Sequence, residues 1–226
     1  MADKYAINTG SLTWTGSSWN TASNQSSSNT TAPTNADTAI LNQYSSTMAI
    51  NATTCVCKIL NMSGYANTLT FTSGQTLTVG SSGIGNVTLG GTIAGTGTLA
   101  LPSQTTTITS NGKIMSGNFS IAGGALIFTG DFQVNGTFTF AQNTNTISGD
   151  KLKINGGVTI GTKGIIGGTG TIEFIGSTTL PALSLGCNII LNTSGNTLVM
   201  GASLGVSKTL TYTSGTINQT TNSTVW

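Results

Sequence analysis

The chain has 226 residues, of which 37% are hydrophobic and only 5% are charged. Seven basic residues without a basic run leave little positive charge for binding phosphates, and no segment approaches the ~20 apolar residues of a membrane span. The composition therefore argues against a nucleic-acid-binding or membrane-inserted protein, and its apolar share is sufficient for a folded core.

Residues 1–48 differ from the rest of the chain and are predicted to form an N-terminal cap or attachment segment. Trp14 and Trp19 lie among Ser, Thr and Asn, and a coil-like stretch at 20–35 follows them. Two interpretations of the tryptophans stay open: they anchor the cap to another subunit, or they are buried beneath the cap itself. The first residues lack the apolar run of a secretory signal, so export by a standard signal is not expected.

Residues 49–226 are predicted to form an all-β body. Short segments alternate apolar and hydroxyl side chains, and a period of two with many β-branched residues is typical of half-buried strands. Glycine-containing dipeptides separate these segments and supply the positive φ that sharp turns require. The clearest examples are residues 69–72, 76–79, 98–101, 137–140, 171–174 and 210–213.

Internal repeats favour a parallel solenoid over an antiparallel sandwich or barrel. The sequence Cys-Lys-Ile-Leu-Asn-Met-Ser-Gly at 57–64 returns at 187–195 as Cys-Asn-Ile-Ile-Leu-Asn-Thr-Ser-Gly. Likewise, Thr-Leu-Thr-Phe-Thr-Ser-Gly at 68–74 returns at 209–215 with Tyr in place of Phe. Stacked coils of roughly 20 residues would give about eight or nine coils over on the order of 40 Å, with inward apolar columns and outward Thr, Ser and Asn ladders.

No catalytic residue and no cofactor are predicted. The chain has no His, which removes the usual nucleophile–base triads, and only five acidic residues. Asp131 and Asp150 each follow a glycine and are expected in turns, where stacking of adjacent coils could bring them together as an acid–base pair. Glu173 is expected at a solvated outward position of a strand.

The three cysteines are predicted to be small buried core residues. Cys55, Cys57 and Cys187 are too few for a disulfide framework, and without His they do not form a zinc pattern. Cys55 and Cys57 lie two apart in a predicted strand and should point to the same face. The sequence thus indicates no metal site, and it leaves any ligand-binding residues unknown.

Recurring Thr-x-Thr triplets allow one further interpretation. They occur within residues 68–72, 76–78, 137–139 and 209–213. Regularly spaced hydroxyls on one face of a solenoid would resemble an ice-binding surface, whereas ordinary outward strand positions, which favour β-branched Thr, are the simpler explanation.

The arrangement of these motifs resembles β-helical phage appendage proteins and the β-helical repeats of bacterial surface adhesins. The resemblance is carried by the tryptophan-containing start, by Ala-Pro-Thr-Asn-Ala-Asp-Thr-Ala-Ile at 32–40, by the 57–64 segment and by the glycine-rich Thr-Leu-Thr coils. It implies a right-handed parallel β-helix, often trimeric in phage fibres and spikes, with a host-contact or decorating role. Autotransporter-type adhesins normally carry a signal peptide and a membrane barrel, and this sequence shows neither.

We therefore expect a non-enzymatic virion structural protein, made in the host cytoplasm and exposed on the particle as a tail fibre, head fibre or decorating protein. Its expected partners are copies of itself, with a trimer favoured, other virion proteins and a host surface glycan. Two alternatives stay open: a glycan-processing tail spike, and a secreted bacterial adhesin or ice-binding solenoid.

Overall fold

The computed structural model describes residues 1–80, 83, 85–102, 105–140, 144–160, 165–201 and 204–219. These residues form β-strands, turns and bends, and they contain no helix capable of crossing a membrane. The strands are β1 to β28 in chain order and belong to three sheets, which we name A, B and C.

Sheet A contains β1 (Asp3–Ala6), β3 (Trp19–Asn20), β4 (Thr38–Ile40), β7 (Ile59–Asn61), β10 (Gly85–Thr88), β13 (Thr106–Thr109), β16 (Gly124–Thr129), β19 (Thr144–Gly149), β22 (Ile165–Gly167), β25 (Leu183–Leu185) and β27 (Leu204–Val206). Sheet B contains β2 (Leu12–Thr13), β5 (Met48–Ile50), β8 (Thr68–Phe71), β11 (Thr92–Gly95), β14 (Ile114–Met115), β17 (Phe132–Val134), β20 (Lys151–Ile154), β23 (Thr171–Phe174), β24 (Thr178–Leu180), β26 (Asn188–Met200) and β28 (Leu210–Gln219). Sheet C contains β6 (Cys55–Cys57), β9 (Thr76–Val79), β12 (Thr98–Leu101), β15 (Asn118–Ile121), β18 (Phe138–Phe140) and β21 (Val158–Ile160).

The chain winds through the three sheets in turn, so that each circuit adds one parallel strand to each sheet. In sheet C, for example, Thr98 pairs in register with Asn118, its counterpart one circuit later. We call one such circuit a rung. The described rungs make a β-solenoid of about eight turns, and the predicted parallel solenoid is confirmed.

The core is a set of columns of inward side chains running along the solenoid axis. Phe119 of β15 pairs with Phe138 of β18, and their ring centroids lie 5.4 Å apart. Phe119 also makes an edge contact at 5.4 Å with Phe132, which reaches the core from sheet B. Burying these rings removes large apolar areas from water and stabilises the stack of rungs.

Glycine and asparagine hold the corners where the chain passes from one sheet to the next. A side chain at Gly95 would place its Cβ 2.0 Å from the Phe71 carbonyl oxygen of the preceding rung, and Gly95 also has a φ of 87°. Several Asn amides donate to a backbone carbonyl 19 to 22 residues earlier in the chain, which supplies a partner for carbonyls at the turns. These bonds are Asn67 to Ser45, Asn111 to Leu89, Asn118 to Thr96, Asn188 to Thr169 and Asn196 to Ile175.

The two ends of the described solenoid differ. At the N-terminal end β3 pairs antiparallel with β1 and covers the edge of sheet A. Strands β1 and β2 also pair in parallel with β4 and β5, so residues from the 1–48 segment contribute to sheets A and B. The division of the chain at residue 48 stays a prediction. At the other end, β26 and β28 each bend from sheet B toward the line of sheet C.

Candidate functional site

The outer face of sheet B and the turns that lead into it carry the densest group of charges in the described part of the chain. We call Asp131, Asp150, Lys151, Lys153 and Glu173 the charged cluster. It holds three of the five acidic and two of the seven basic residues of the whole chain. Parallel register explains the grouping, because Lys153 of β20 pairs with Glu173 of β23 on one outward column.

Asp131 and Lys153 form a direct ion pair, with the Lys153 Nζ 2.7 Å from an Asp131 carboxylate oxygen. The hydrogen bond from Lys153 is the main reason that the pKa of Asp131 lies below its ordinary value, and the same bond raises the pKa of Lys153. Both groups are therefore held in their charged forms at neutral pH. This arrangement suits an electrostatic link between rungs better than proton transfer, which needs a pKa near the working pH.

Glu173 is buried, and the predicted solvated position is wrong. Its residue is only 6% exposed, although it occupies an outward position of β23. The Lys151 Nζ lies 3.4 Å from one carboxylate oxygen, and the Asn192 amide donates to the other at 2.8 Å. Side chains of the rungs on either side thus enclose this carboxylate and satisfy it.

Asp131 and Asp150 occupy turns on adjacent rungs, as predicted. Gly130 and Gly149, which precede them, both have a φ of 82°. One Asp150 oxygen accepts the Gly130 backbone N–H at 2.7 Å, and one Asp131 oxygen accepts the Lys151 backbone N–H at 3.3 Å. Each carboxylate is therefore bonded to the backbone beside the other aspartate, which joins the two turns.

The sequence did contain a signal for this cluster. The charged residues recur at intervals close to the expected coil length of roughly 20 residues: Asp131 is followed by Lys151 or Lys153, and these are followed by Glu173. Stacking the sequence at that period places them on one face. The sequence context of each residue taken separately does not reveal this grouping.

The cysteines lie in the core, as predicted. Cys55 and Cys57 both point inward from β6, and Cys187 is also buried. Burial raises the pKa of all three thiols, to about 11 for Cys187, and so disfavours the reactive thiolate. Among the residues that the structure describes, no group of three or more His, Cys, Asp or Glu side chains is placed to hold a metal ion.

Trp14 and Trp19 are buried against each other. Their rings meet edge to face with centroids 5.0 Å apart, and the Trp19 indole N–H donates to the Trp14 carbonyl oxygen at 2.8 Å. Neither residue is more than 1% exposed. Of the two interpretations left open, burial within the chain describes their position, and any docking of residues 1–48 would use other side chains.

The outer face of sheet C is uncharged. One residue from each rung contributes to a registered column, and these residues are Val56, Thr78, Ala100, Ser120, Thr139 and Thr159. The Thr-x-Thr triplets do not all join this column: Thr68 and Thr70 lie on sheet B, whereas Thr76 and Thr78 lie on sheet C. The threonines are thus divided between two faces of the solenoid.

A shallow depression of about 400 Å³ lies on the surface beside β24 and β26. Its lining includes the hydroxyl-bearing residues Ser177, Thr178, Thr179 and Thr197, together with Val199. The Ser177 hydroxyl already bonds to Asn196 and Thr197, and Thr178 is buried, so Thr179 and Thr197 are the hydroxyls suited to hydrogen bonding with another polyhydroxyl surface. Comparison of the chain with models of known protein families, with curated proteins and with solved structures finds no match.

Proposed function

We propose that this protein is a non-enzymatic structural component of a virion, a phage fibre, appendage or decorating protein that presents an uncharged β-solenoid surface. The observation that carries the proposal is that three ion pairs between rungs take up six of the twelve charged side chains, while the registered outward column of sheet C carries no charge. Such a surface offers many weak hydrogen-bonding groups and no concentrated chemistry. The role is therefore passive: spacing, stiffness and adhesion.

Stiffness is supported by the way in which successive rungs are joined. Parallel backbone ladders run along all three sheets, and the corner asparagines and the charged cluster add side-chain links between rungs. Because each link connects residues about one rung apart, bending the rod would break several of them at once. A rod of this kind can hold a contact surface at a distance from a particle.

Adhesion to a host glycan is supported by the hydroxyl-rich sheet C face and by the depression beside Ser177. Each contact of this type is weak, so useful affinity would come from several copies acting together. A homo-oligomer, with a trimer favoured by the resemblance to phage fibres, supplies that multiplicity.

The proposal is tested by locating the protein and by measuring its adhesion. Antibody labelling and electron-microscopic reconstruction of intact particles should place it on the outside of the virion, and its absence from particles would refute the virion role. Purified protein should co-sediment with host cells, and periodate oxidation of the cell-surface glycans should abolish that binding. Release of shortened glycan during the incubation would instead indicate a glycan-processing spike.

An ice-binding solenoid is a second candidate, favoured by the registered outward column of sheet C. Threonine and other small side chains at one strand spacing, about 4.8 Å, form a regular surface. Thermal hysteresis by the purified protein, lost on Thr139→Lys, would support this candidate, and freezing without hysteresis would remove it.

A further inference from the structure

A second depression lies on the surface where the chain passes from sheet A into sheet B on two successive rungs. Its volume is about 360 Å³, at the low end of the range for ligand sites. The lining comes from two turns and from the strands β11 and β14 that follow them, and it includes Gly91, Thr92, Gly112, Lys113, Ile114 and Ser116. This depression is separate from the charged cluster and from the depression beside Ser177.

Glycines in the two turns keep this depression open. Gly91 and Gly112 have positive φ angles of 54° and 71° and lie directly before β11 and Lys113, respectively. A Cβ at Gly91 would meet the Asn67 carbonyl oxygen and the Tyr65 ring, whereas a Cβ at Gly112 would have open space around it. The turns themselves therefore supply no side chain that fills the depression from these two positions.

The apolar wall of the depression is Ile114, which is 47% exposed. The register between β11 and β14 places Thr92 beside Ile114, and Ile114 pairs with Gln133 of the next rung. The Gln133 amide donates to Asn135 at 2.8 Å, so it bonds along its own strand and leaves Ile114 in contact with solvent. Thr92 and Ser116 are also exposed. An accessible aliphatic side chain thus lies between two accessible hydroxyls.

The cation of the depression is Lys113. Among the residues that the structure describes, the three ion pairs use other lysines, and no acceptor takes a hydrogen bond from the Lys113 ammonium. Asp131, in the corresponding turn of the next rung, is already paired with Lys153 at 2.7 Å. The depression therefore carries a positive charge that no carboxylate of the described chain neutralises, and this charge favours an anionic group on a ligand.

We infer that this depression binds an acidic sugar unit, one that carries a carboxylate on a pyranose ring. The carboxylate pairs with the Lys113 ammonium, the C–H face of the ring packs on Ile114, and ring hydroxyls bond to Thr92 and Ser116. A neutral sugar gains nothing from the Lys113 charge, so the site selects acidic over neutral glycans. The inference rests on the glycan adhesion proposed above, because it names the class of sugar that is recognised, but it does not depend on a location in a virion.

The first test is a chemical-shift titration of the isotope-labelled full chain, since NMR measures weak binding residue by residue. The probes are trigalacturonate and its methyl ester, which differ in the charge of their carboxyl groups. Trigalacturonate should shift the amide signals of residues 91–93 and 112–116, and the ester should bind about fivefold less tightly. Added salt should weaken binding of the acid but not of the ester. Equal affinities for the two probes, or shifts confined to other residues, would overturn the inference.

The second test uses variants of the same full chain. Lys113→Gln should lower the affinity for trigalacturonate about fivefold, the usual scale of a solvent-exposed ion pair, and should leave the affinity for the ester unchanged. Lys58→Gln is the matched control, because Lys58 also has no ion pair among the described residues but lies between β6 and β7. Ile114→Ala should weaken binding of both probes. Equal losses for Lys113→Gln and Lys58→Gln would contradict a site at Lys113.

Comparison with cell binding separates this inference from the proposed adhesion. If trigalacturonate does not bind, while native and Lys113→Gln proteins co-sediment equally with host cells, the adhesion stands and the acidic-sugar site is wrong. If trigalacturonate binds as expected but the protein does not sediment with cells, the site stands and the host adhesion is wrong. Inorganic phosphate that competes as well as galacturonate at the same ionic strength would show a general anion site and would refute the assignment to a sugar.

Discussion

The carboxylate of Asp150 accepts a hydrogen bond from the backbone N–H of Gly130, 20 residues earlier in the chain, at 2.7 Å. Asp131, the neighbour of Gly130, makes the reciprocal bond to the N–H of Lys151. The N–H groups of turns often lack a strand partner, and these carboxylates provide one. In a chain with so few charges, two of the acidic side chains thus form hydrogen bonds that join successive rungs.

Removing the Asp150 carboxylate should loosen this junction. We expect Asp150→Ala to lower the free energy of unfolding by about 1 kcal/mol, the usual net value of one such hydrogen bond. Asp150→Asn keeps a carbonyl acceptor and should cost less. Urea unfolding followed by circular dichroism measures both, and equal losses for the Asn and Ala variants would show that the charge, rather than the hydrogen-bond acceptor, matters.

The Lys151–Glu173 pair should show coupling between its two members. Lys151→Met leaves the enclosed Glu173 carboxylate with Asn192 but without its cation, so we expect a loss of about 1 kcal/mol. Combining Lys151→Met with Glu173→Gln removes the uncompensated charge and should restore part of that stability. A double-mutant cycle in urea measures the coupling, and strictly additive effects would mean that the pair contributes nothing.

Stability should fall in acid because the pKa values of Asp37 and Asp131 are lowered in the folded protein. For Asp37, burial raises the pKa, but hydrogen bonds from Thr34 and Ala2 and the charge of Lys4 outweigh it. A lowered folded pKa means that the unfolded chain binds protons first as the pH falls through about 4, so stability is complete above that pH and declines below it.

The pKa of Lys153 is raised in the folded protein, so its effect on stability has the opposite pH dependence. The stability that Lys153 contributes should be lost only as the pH rises above 10.5, the ordinary pKa of lysine.

The lowered pKa values of the two aspartates predict that unfolding midpoints decline from about pH 7 to about pH 3, and that Asp37→Asn and Asp131→Asn each flatten the decline. An acid profile unchanged by either variant would contradict these assignments.

Two glycines should respond very differently to the same substitution. Gly74 has a φ of 72° with open space around it, so Gly74→Ala should cost only the backbone strain, about 1–2 kcal/mol. At Gly95 a Cβ would also collide with the Phe71 carbonyl, so Gly95→Ala should cost more than about 3 kcal/mol or prevent folding. Thermal unfolding of the two variants measures the difference in stability, and similar melting temperatures would contradict the close approach of Gly95 to the Phe71 carbonyl.

Much of the local structure could be predicted from the sequence. The strands expected at 76–79, 98–101 and 171–174 coincide with β9, β12 and β23. Alternation predicts such strands because a side chain's face depends only on its own position along the strand. Two features of the site could not be derived in this way. Glu173 is outward by alternation yet enclosed, and Trp19 is buried although it lies among polar residues in the sequence.

Local sequence is sufficient to predict the all-β character of the chain, the inward direction of residues such as Cys57 and the positions of several turns, because these depend on neighbours within a few residues. Contacts between side chains of different rungs follow from the three-dimensional winding of the chain. The corners differ in length, so that Phe119 pairs with Phe138 but Leu60 pairs with Val87, and the offset between rungs is not constant. Ion pairs and enclosed carboxylates depend on that offset and on what the next rung supplies.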